Sequence, residues 1–223
     1  DRPASAAAVY TRNLVKGAPL TVTQAHIADG RARAIVCNSG IANTCAFDGI
    51  EKAETMCALT AEALGIDAAD VVVASTGVIG PSIDIAPIAA GLPRLAAALS
   101  AQGSADAAEA IMTTDTRKKE FAVTFQADGR TCTLGGIAKG SGMIAPNMAT
   151  MLCFLTTDAA IAPQLLHEAL LAVVDDTFNM LSVDGDTSTN DMVVVLANGA
   201  AGNTLVTEKN ADYDAFLEAL HAL

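Results

Sequence analysis

Residues 135–155 of the chain read GGIAKGSGMIAPNMATMLCFL, and no other stretch says as much about the fold and the chemistry. Its glycines, with Lys139 among them, predict a flexible loop, and the apolar run at its end predicts a strand from 150 to 156. Thr150 stands where the loop meets the strand. A threonine there can attack the preceding peptide bond, and the new amino-terminal threonine can then be an acyl-accepting nucleophile with its own amine as base. The residue also simply suits a strand, because threonine has high β propensity.

Short apolar strands and amphipathic helices alternate on both sides of this stretch. Besides 150–156, strands are predicted at 6–10, 31–37, 71–74, 121–126, 130–134 and 192–196. Helices are predicted near 49–64, 85–99, 105–112, 163–174 and 211–223, the second broken or kinked at Gly91 and Pro93. Asp128-Gly129 predicts a hairpin turn. Because helices interleave with strands and a hairpin, we expect an α/β domain of mixed α+β layers and not a purely parallel, doubly wound sheet.

Composition limits the partners and the compartment. Hydrophobic residues make up 52% of the 223 residues, enough for a core without disulfides or metal. The net charge of −12 and the absence of Trp argue against nucleic acid and membrane surfaces as partners. The cysteines are odd in number, five, and fit no zinc spacing, so we expect a reducing, cytoplasmic compartment and no metal site. Cys57, Cys132 and Cys153 lie in apolar segments and are expected to be buried.

Three further segments have both a structural and a functional interpretation. Thr76-Gly77 follows the strand at 71–74, either as a loop or as a hydroxyl and an N–H aimed at a developing oxyanion. The hydroxyl-rich run 112–116 suits caps and turns. The run 182–191 is rich in Asp, Ser and Thr but lacks the glutamate of a calcium loop, which favours a self-hydrogen-bonded turn beside the active site. The three histidines are isolated, so a Ser-His-Asp arrangement is unsupported.

Taken together, these segments resemble the ornithine acetyltransferase family of arginine biosynthesis, also called glutamate N-acetyltransferase, bifunctional members included. The resemblance covers essentially the whole chain, and residues 139–152 and the run around Asp184 are its most specific parts. The matching segments, in the family's order, are 1–7, 38–43, 75–80, 111–116, 139–152 and 182–191.

This resemblance implies that the chain cuts itself between Ala149 and Thr150. Residues 1–149 would form the α-piece and residues 150–223 the start of the β-piece, both within one structural domain. The implied fold is a sandwich similar to that of the amino-terminal-nucleophile-like aminopeptidases. The pieces would assemble into a hetero-oligomer in the cytoplasm.

The resemblance also assigns roles in an acetyl transfer from N-acetylornithine to glutamate. The reaction needs no metal or other cofactor, and whether acetyl-CoA also serves as donor is left open. The implied roles are Thr150 as nucleophile, Thr76 and Gly77 as oxyanion hole, and Thr113, Lys139 and Thr150 as substrate contacts.

Two departures from the family pattern bear on the function. Ile41 stands where an asparagine is expected. Family members also have more residues before Asp1, and a long region after Leu223 that supplies a substrate-binding glutamate and a carboxy-terminal Asn/Thr pair, so the chain is expected to be a fragment. The alternatives are therefore an amidase or aminopeptidase of related fold, in which water accepts the acyl group, and an inactive truncated chain.

Overall fold

The computed structural model describes residues 2–142, 151–180 and 186–223. Within these residues, short 3-10 turns connect some of the regular elements. The strands are β1 (Ala4–Tyr10), β2 (Arg31–Ala32), β3 (Ala34–Ile41), β4 (Val71–Val78), β5 (Lys119–Ala127), β6 (Arg130–Lys139), β7 (Leu152–Thr157) and β8 (Met192–Ala197). The helices are α1 (Ala18–His26), α2 (Gly49–Leu64), α3 (Ile85–Ala98), α4 (Ser104–Ala110), α5 (Pro163–Asp176) and α6 (Ala211–Ala222).

The strands form two sheets. The larger has six strands in the order β2-β1-β8-β7-β6-β5, with β7 and β8 parallel and every other neighbouring pair antiparallel. The smaller consists of β3 and β4, which are parallel and joined through α2. Parallel strands need such a crossover connection, which is why a helix separates them in the sequence.

The sheets pack face to face between two helical layers. One face of the larger sheet, including Val193 and Val195, shares a core with α5 and α6. Its other face, including Met192 and Val194, shares a core with Val72 and Ala74 of β4. The remaining face of β4, with Val71 and Val73, lies in a third core with residues of α1 and α2. Successive residues of a strand point to opposite faces, so strands buried on both faces are continuously apolar. These layers confirm the predicted mixed α/β sandwich.

Near the start of the chain the structure contains one helix that was not predicted and contradicts one predicted strand. The helix α1 was not predicted, because only part of one face is buried and its apolar periodicity is weak. The strand predicted at 31–37 is two strands that belong to different sheets. Arg33 separates them and donates its backbone N–H to the carbonyl of Asp70, 2.8 Å away, so β2 pairs with β1 while β3 turns toward β4.

The predicted glycine loop is also shorter than expected. Residues 135–139 continue β6, paired with β5 on one side and β7 on the other. A Cβ on Gly136 would lie 2.4 Å from Leu155 Cδ2, so this glycine lets a β7 side chain approach closely instead of providing a bend. Helix α3 likewise continues through Gly91 and Pro93. A glycine in the sequence therefore does not always indicate a bend, because it can instead allow a neighbouring side chain to pack closely.

Cys57, Cys132 and Cys153 are buried as predicted, and all five cysteines are free thiols. Among the residues described, no helix combines the length and the apolar character needed to cross a membrane.

Candidate functional site

Three of the predicted site residues meet at one place in the sandwich. Lys139 is the last residue of β6, and its Nζ donates to Thr76 Oγ1 at 3.1 Å and to Thr113 Oγ1 at 2.8 Å. Thr76 lies near the end of β4, and Thr113 follows α4. Lys139 is only 3% exposed and Thr76 only 6%. The fold therefore brings a buried ammonium group into contact with two hydroxyls from distant parts of the chain.

Gly77 follows Thr76 at a point where only glycine fits. The strand predicted at 71–74 is longer than expected, because β4 continues to Val78 and pairs Gly77 with Gly40 of β3. Gly77 has a φ of 128°, and a Cβ there would lie 2.2 Å from the carbonyl carbon and oxygen of Gly40. Both the positive φ and the contact exclude a side chain. The Thr76-Gly77 peptide is thus fixed by strand pairing rather than by a mobile loop.

Asp115 is the residue at this site that sequence reasoning missed. Its carboxylate accepts from Lys119 Nζ at 2.7 Å, from the Gly140 N–H at 2.7 Å and from the Thr113 N–H at 3.4 Å. Its Oδ2 lies 4.0 Å from Lys139 Nζ, and its side chain has no exposed surface. The sequence predicts caps and turns for the run 112–116, whereas Asp115 pairs with Lys119, four residues further along a segment that is not helical.

Burial and charge compete at Lys139 and Asp115. Burial lowers the pKa of Lys139, and the negative charge of Asp115 opposes this without cancelling it. Burial acts to raise the pKa of Asp115, but the hydrogen bonds from Lys119, Gly140 and Thr113 outweigh it, so the pKa lies below its ordinary value. Burial also raises the pKa of Cys37, beside this cluster, to about 12, so that its thiol is neutral near neutral pH. In this cluster the pKa of Asp115 is lowered despite burial, and the pKa of Lys139 is lowered less than burial alone would lower it.

A second buried carboxyl, Asp191, precedes β8. Its Oδ1 accepts the backbone N–H of Met151 at 3.0 Å. Burial raises the pKa of Asp191 to about 8, although Ser188, the Met151 N–H and the charge of Lys139 all act to lower it. Asp191 therefore holds a proton at neutral pH, and its hydrogen bond fixes the residue that follows Thr150 in the sequence.

Asn190 joins the segment before β8 to the smaller sheet. Its Nδ2 donates to the carbonyls of Ala42 (2.7 Å) and Ser75 (2.9 Å), and its Oδ1 accepts from Thr44 Oγ1 (2.6 Å). A Cβ on Gly17 would lie 2.6 Å from the Asn190 amide, so the packing there is tight. Residues 186–191 also hydrogen-bond among themselves, as expected of the run: Thr189 Oγ1 donates to Asn190 Oδ1 at 2.6 Å, and the Asn190 N–H donates to Ser188 Oγ at 3.1 Å. The contacts of Asn190 with Ala42 and Ser75 were not predicted.

Some predictions fall on residues that the structure leaves undescribed, or on an altered position. Ala149 and Thr150 lie outside the described residues, as does the 182–185 part of the calcium-like run. Ile41, which replaces the expected asparagine, packs against the core between β4 and α2. Within residues 2–142, 151–180 and 186–223, no group of three or more His, Cys, Asp or Glu side chains is arranged to hold a metal.

Comparison with known proteins places this chain in a family. A profile of the ArgJ family matches residues 1–223. The chain belongs to this family. Over 222 residues it is 54% identical to the arginine biosynthesis bifunctional protein ArgJ of Symbiobacterium thermophilum, and 48% identical to that of Geobacillus kaustophilus. These alignments cover 99% of this chain but only 55% and 54% of the relatives, so the chain spans about half of their length.

Solved structures agree with the family and with the fold. The ArgJ protein of Bacillus halodurans is 46% identical, with a TM-score of 0.61 over 66% of this chain and 78% of that protein. The ornithine acetyltransferase of Mycobacterium tuberculosis, solved with ornithine, is 33% identical, with a TM-score of 0.57 over 68% and 79%. A Burkholderia beta-aminopeptidase, at 16% identity and a TM-score of 0.51, is similar over 99% of this chain and 71% of its own, and this likeness concerns the fold alone.

Proposed function

We propose that this chain carries the acyl-transfer site of an acetyltransferase of arginine biosynthesis. An acetyl group moves from N-acetylornithine to glutamate through an acetyl ester on Thr150, after self-cleavage between Ala149 and Thr150. The observation that carries the proposal is the contact of buried Lys139 with the hydroxyls of Thr76 and Thr113. Family membership and the named relatives support the reaction class.

The proposed cleavage divides the chain into pieces 1–149 and 150–223 without dividing the domain. Strand β7 follows the cleavage site and lies between β6 of the first piece and β8 of the second. Its pairing with β6 runs from Lys139 opposite Leu152 to Leu134 opposite Thr157. Because this pairing and the surrounding core do not depend on the peptide bond at 149–150, the pieces would stay associated. Assembly of such paired pieces into a larger oligomer, in the cytoplasm, is part of the proposal.

The chemistry of both stages needs only groups that the chain supplies. In self-cleavage the Thr150 hydroxyl attacks the Ala149 carbonyl carbon, the C–N bond breaks as the Thr150 nitrogen takes a proton, and water hydrolyses the resulting ester. The freed α-amine has an ordinary pKa of roughly 7.7–8.0. It can therefore take the proton of its own hydroxyl near neutral pH, which removes the need for a histidine base.

The Thr76 hydroxyl is suited to stabilise the oxyanion of each half-reaction. Its oxygen accepts a hydrogen bond from Lys139, which leaves its own proton available for another acceptor. The Gly77 N–H would supply the second donor. Removing one donor of this kind typically reduces the rate by roughly 10²–10³-fold. Thr76, Gly77 and Lys139 thus act together on the negative charge that develops when Thr150 attacks an acyl carbon.

Lys139 and Thr113 would also contact the amino-acid substrates. An ammonium group in a nearly dry site binds a carboxylate more strongly than an exposed lysine does. Both N-acetylornithine and glutamate carry an α-carboxylate, so one lysine can serve the two half-reactions. The proposed reaction uses no metal and no cofactor, and acetyl-CoA is an alternative donor to be tested.

Intact mass and acyl partition test the proposal. The wild-type chain should yield pieces 1–149 and 150–223, whereas Thr150→Ala should remain whole. Purified protein given N-acetylornithine should gain one acetyl group on the 150–223 piece and lose it to glutamate, with ping-pong kinetics. Dominant hydrolysis at saturating glutamate would instead indicate an amidase. A chain that stays uncut and unlabelled would indicate an inactive fragment.

A further inference from the structure

Asp115 makes four polar contacts at the site, and the proposed chemistry does not use its carboxylate. Its fully buried carboxylate accepts hydrogen bonds from the Thr113 and Gly140 N–H groups. Thr113 is a proposed substrate contact, and Gly140 directly follows Lys139, which is another. The Asp115 carboxylate also binds Lys119 Nζ at 2.7 Å and faces Lys139 Nζ at 4.0 Å. One carboxylate therefore touches the backbone of both substrate-contact segments and the side chain of one of them.

We propose that Asp115 is a positioning residue, which holds Thr113 and Lys139 at their mutual distance and keeps the Lys139 ammonium group charged in its buried place. The inference rests on the proposed function only where it concerns substrate; the claim about Lys139 stands on the contacts alone. In this proposal Asp115 acts through Lys139.

The charged groups around Lys139 have opposite effects on its proton. Asp115 favours the ammonium form, as do Cys37 and Asp191 when they ionise. Lys119 disfavours the ammonium form of Lys139, because Lys119 is itself positively charged and is bound to the same carboxylate, that of Asp115. Cys37 keeps its proton near neutral pH, and so does Asp191. Among the residues that the structure describes, Asp115 thus supplies the negative charge next to Lys139 under those conditions.

This arrangement predicts opposite shifts for two substitutions. Asp115→Asn keeps the size and one acceptor oxygen but removes the charge, so Lys139 should lose its proton at lower pH. Lys119→Gln removes the competing positive charge, so Lys139 should lose its proton at higher pH. Asp158→Asn is the matched control, because Asp158 Oδ1 also accepts a backbone N–H, from Thr133 at 2.7 Å, but does not act on Lys139.

The test is an NMR titration of protein with ¹³C-labelled lysine side chains, with the Lys139 signal assigned from Lys139→Arg. The expected result is a midpoint shifted down in Asp115→Asn, up in Lys119→Gln and unchanged in Asp158→Asn. An unchanged midpoint in the first two variants, or shifts of the same sign, would overturn the inference. If Asp115→Asn does not fold, the sign of the shift in Lys119→Gln still decides, since that side chain is 40% exposed and its loss is tolerable.

Kinetics separate this inference from the proposed function. If Lys139 binds the substrate carboxylate, the alkaline limb of kcat/KM should move with the NMR midpoint. Above the new midpoint Asp115→Asn should then lose up to about tenfold in kcat/KM, chiefly through KM. An NMR shift without a kinetic shift would keep the positioning role and remove the substrate role of Lys139. A wild-type protein without activity would remove the proposed function, while the titration would still decide the positioning role.

Discussion

Two buried carboxyl groups act on Lys139, and they are in opposite states of charge at neutral pH. Asp115, between α4 and β5, receives an ammonium and two backbone N–H groups, and its pKa is lowered. Asp191, before β8, is 1% exposed, and its pKa is raised to about 8. Both side chains are out of contact with solvent. The difference shows that burial alone does not fix the charge of a carboxyl group; the number and charge of its donors decide.

The two carboxyl groups belong to two parts of the site: the Asp115 side, with Lys119, Gly140 and Lys139, and the Asp191 side, with Met151 and Asn190. The Asp115 side supplies charge, which keeps Lys139 in its ammonium form beside the Thr76 and Thr113 hydroxyls. The Asp191 side supplies neutral hydrogen bonds, which fix Met151 and join the segment before β8 to the smaller sheet. Each side can be tested separately, since charged and neutral contacts respond differently to pH.

The largest effect should come from titrating Asp191. Its pKa is higher in the folded chain than in the unfolded chain, so the free energy of unfolding should fall as pH rises from about 4 to about 8, by at most about 5 kcal/mol. Asp191→Asn keeps an acceptor for the Met151 N–H but cannot ionise. Urea unfolding at pH 5 and pH 8.5 should therefore show wild type losing stability relative to this variant. Equal pH dependence of the two proteins would mean that Asp191 is already ionised.

Removing Asp115 should have a smaller effect with the opposite pH dependence. Asp115→Ala leaves the Gly140 N–H and the Lys139 ammonium without their acceptor, which costs about 2–4 kcal/mol near neutral pH. Because the folded-state pKa is lowered, this stabilisation is complete above the unfolded pKa and is lost as pH falls through the folded one. Urea unfolding should show the gap between wild type and variant closing in acid. A gap that widens in acid would contradict the assigned charge.

Asn190 tests the neutral side by itself. Asn190→Ala removes two donors to the carbonyls of Ala42 and Ser75 and an acceptor for Thr44, which should cost about 2 kcal/mol at every pH between 5 and 8.5. Asn13→Ala is a control for the loss of an asparagine, since its contacts to Thr187 and Val15 are only partly buried or exposed. That control should lose less than about 1 kcal/mol. A pH-dependent cost at Asn190 would mean that the variant also disturbs Asp191.

Some features of the fold and of the site could be predicted from the sequence, and others could not. The layered fold follows from the continuous apolar strands, because each strand needs cover on both faces and only a sandwich provides it. Thr76, Thr113 and Lys139 were found through a family resemblance that gives residue types in a fixed order. Asp115 was missed because its partners Lys139 and Gly140, at and just after the end of β6, are distant in the sequence, and no local pattern shows that they meet.

The glycines show what the local sequence cannot predict. In the sequence Gly135 and Gly136 look like the flexible part of a loop, yet in the structure both are paired residues of β6. The reason for Gly136 is the approach of Leu155 from the neighbouring strand, which depends on sheet order. Gly77 likewise faces Gly40 across a parallel pair. Such contacts are set by tertiary packing, which local composition does not encode.

The smallest effect on stability should come from replacing Lys119, the partly exposed partner of Asp115. Lys119→Gln removes an ion pair whose lysine is 40% exposed, so solvent screening should limit the loss to less than about 1 kcal/mol. The buried Asp115 keeps its two backbone donors and Lys139, and its charge should persist. Thermal unfolding should therefore place this variant close to wild type and well above Asp115→Ala. A loss of stability as large as that of Asp115→Ala would mean that Asp115 depends on the partly exposed Lys119 for its charge. The difference between Asp115 and Asp191 would then come from Lys119 rather than from the buried donors of Asp115.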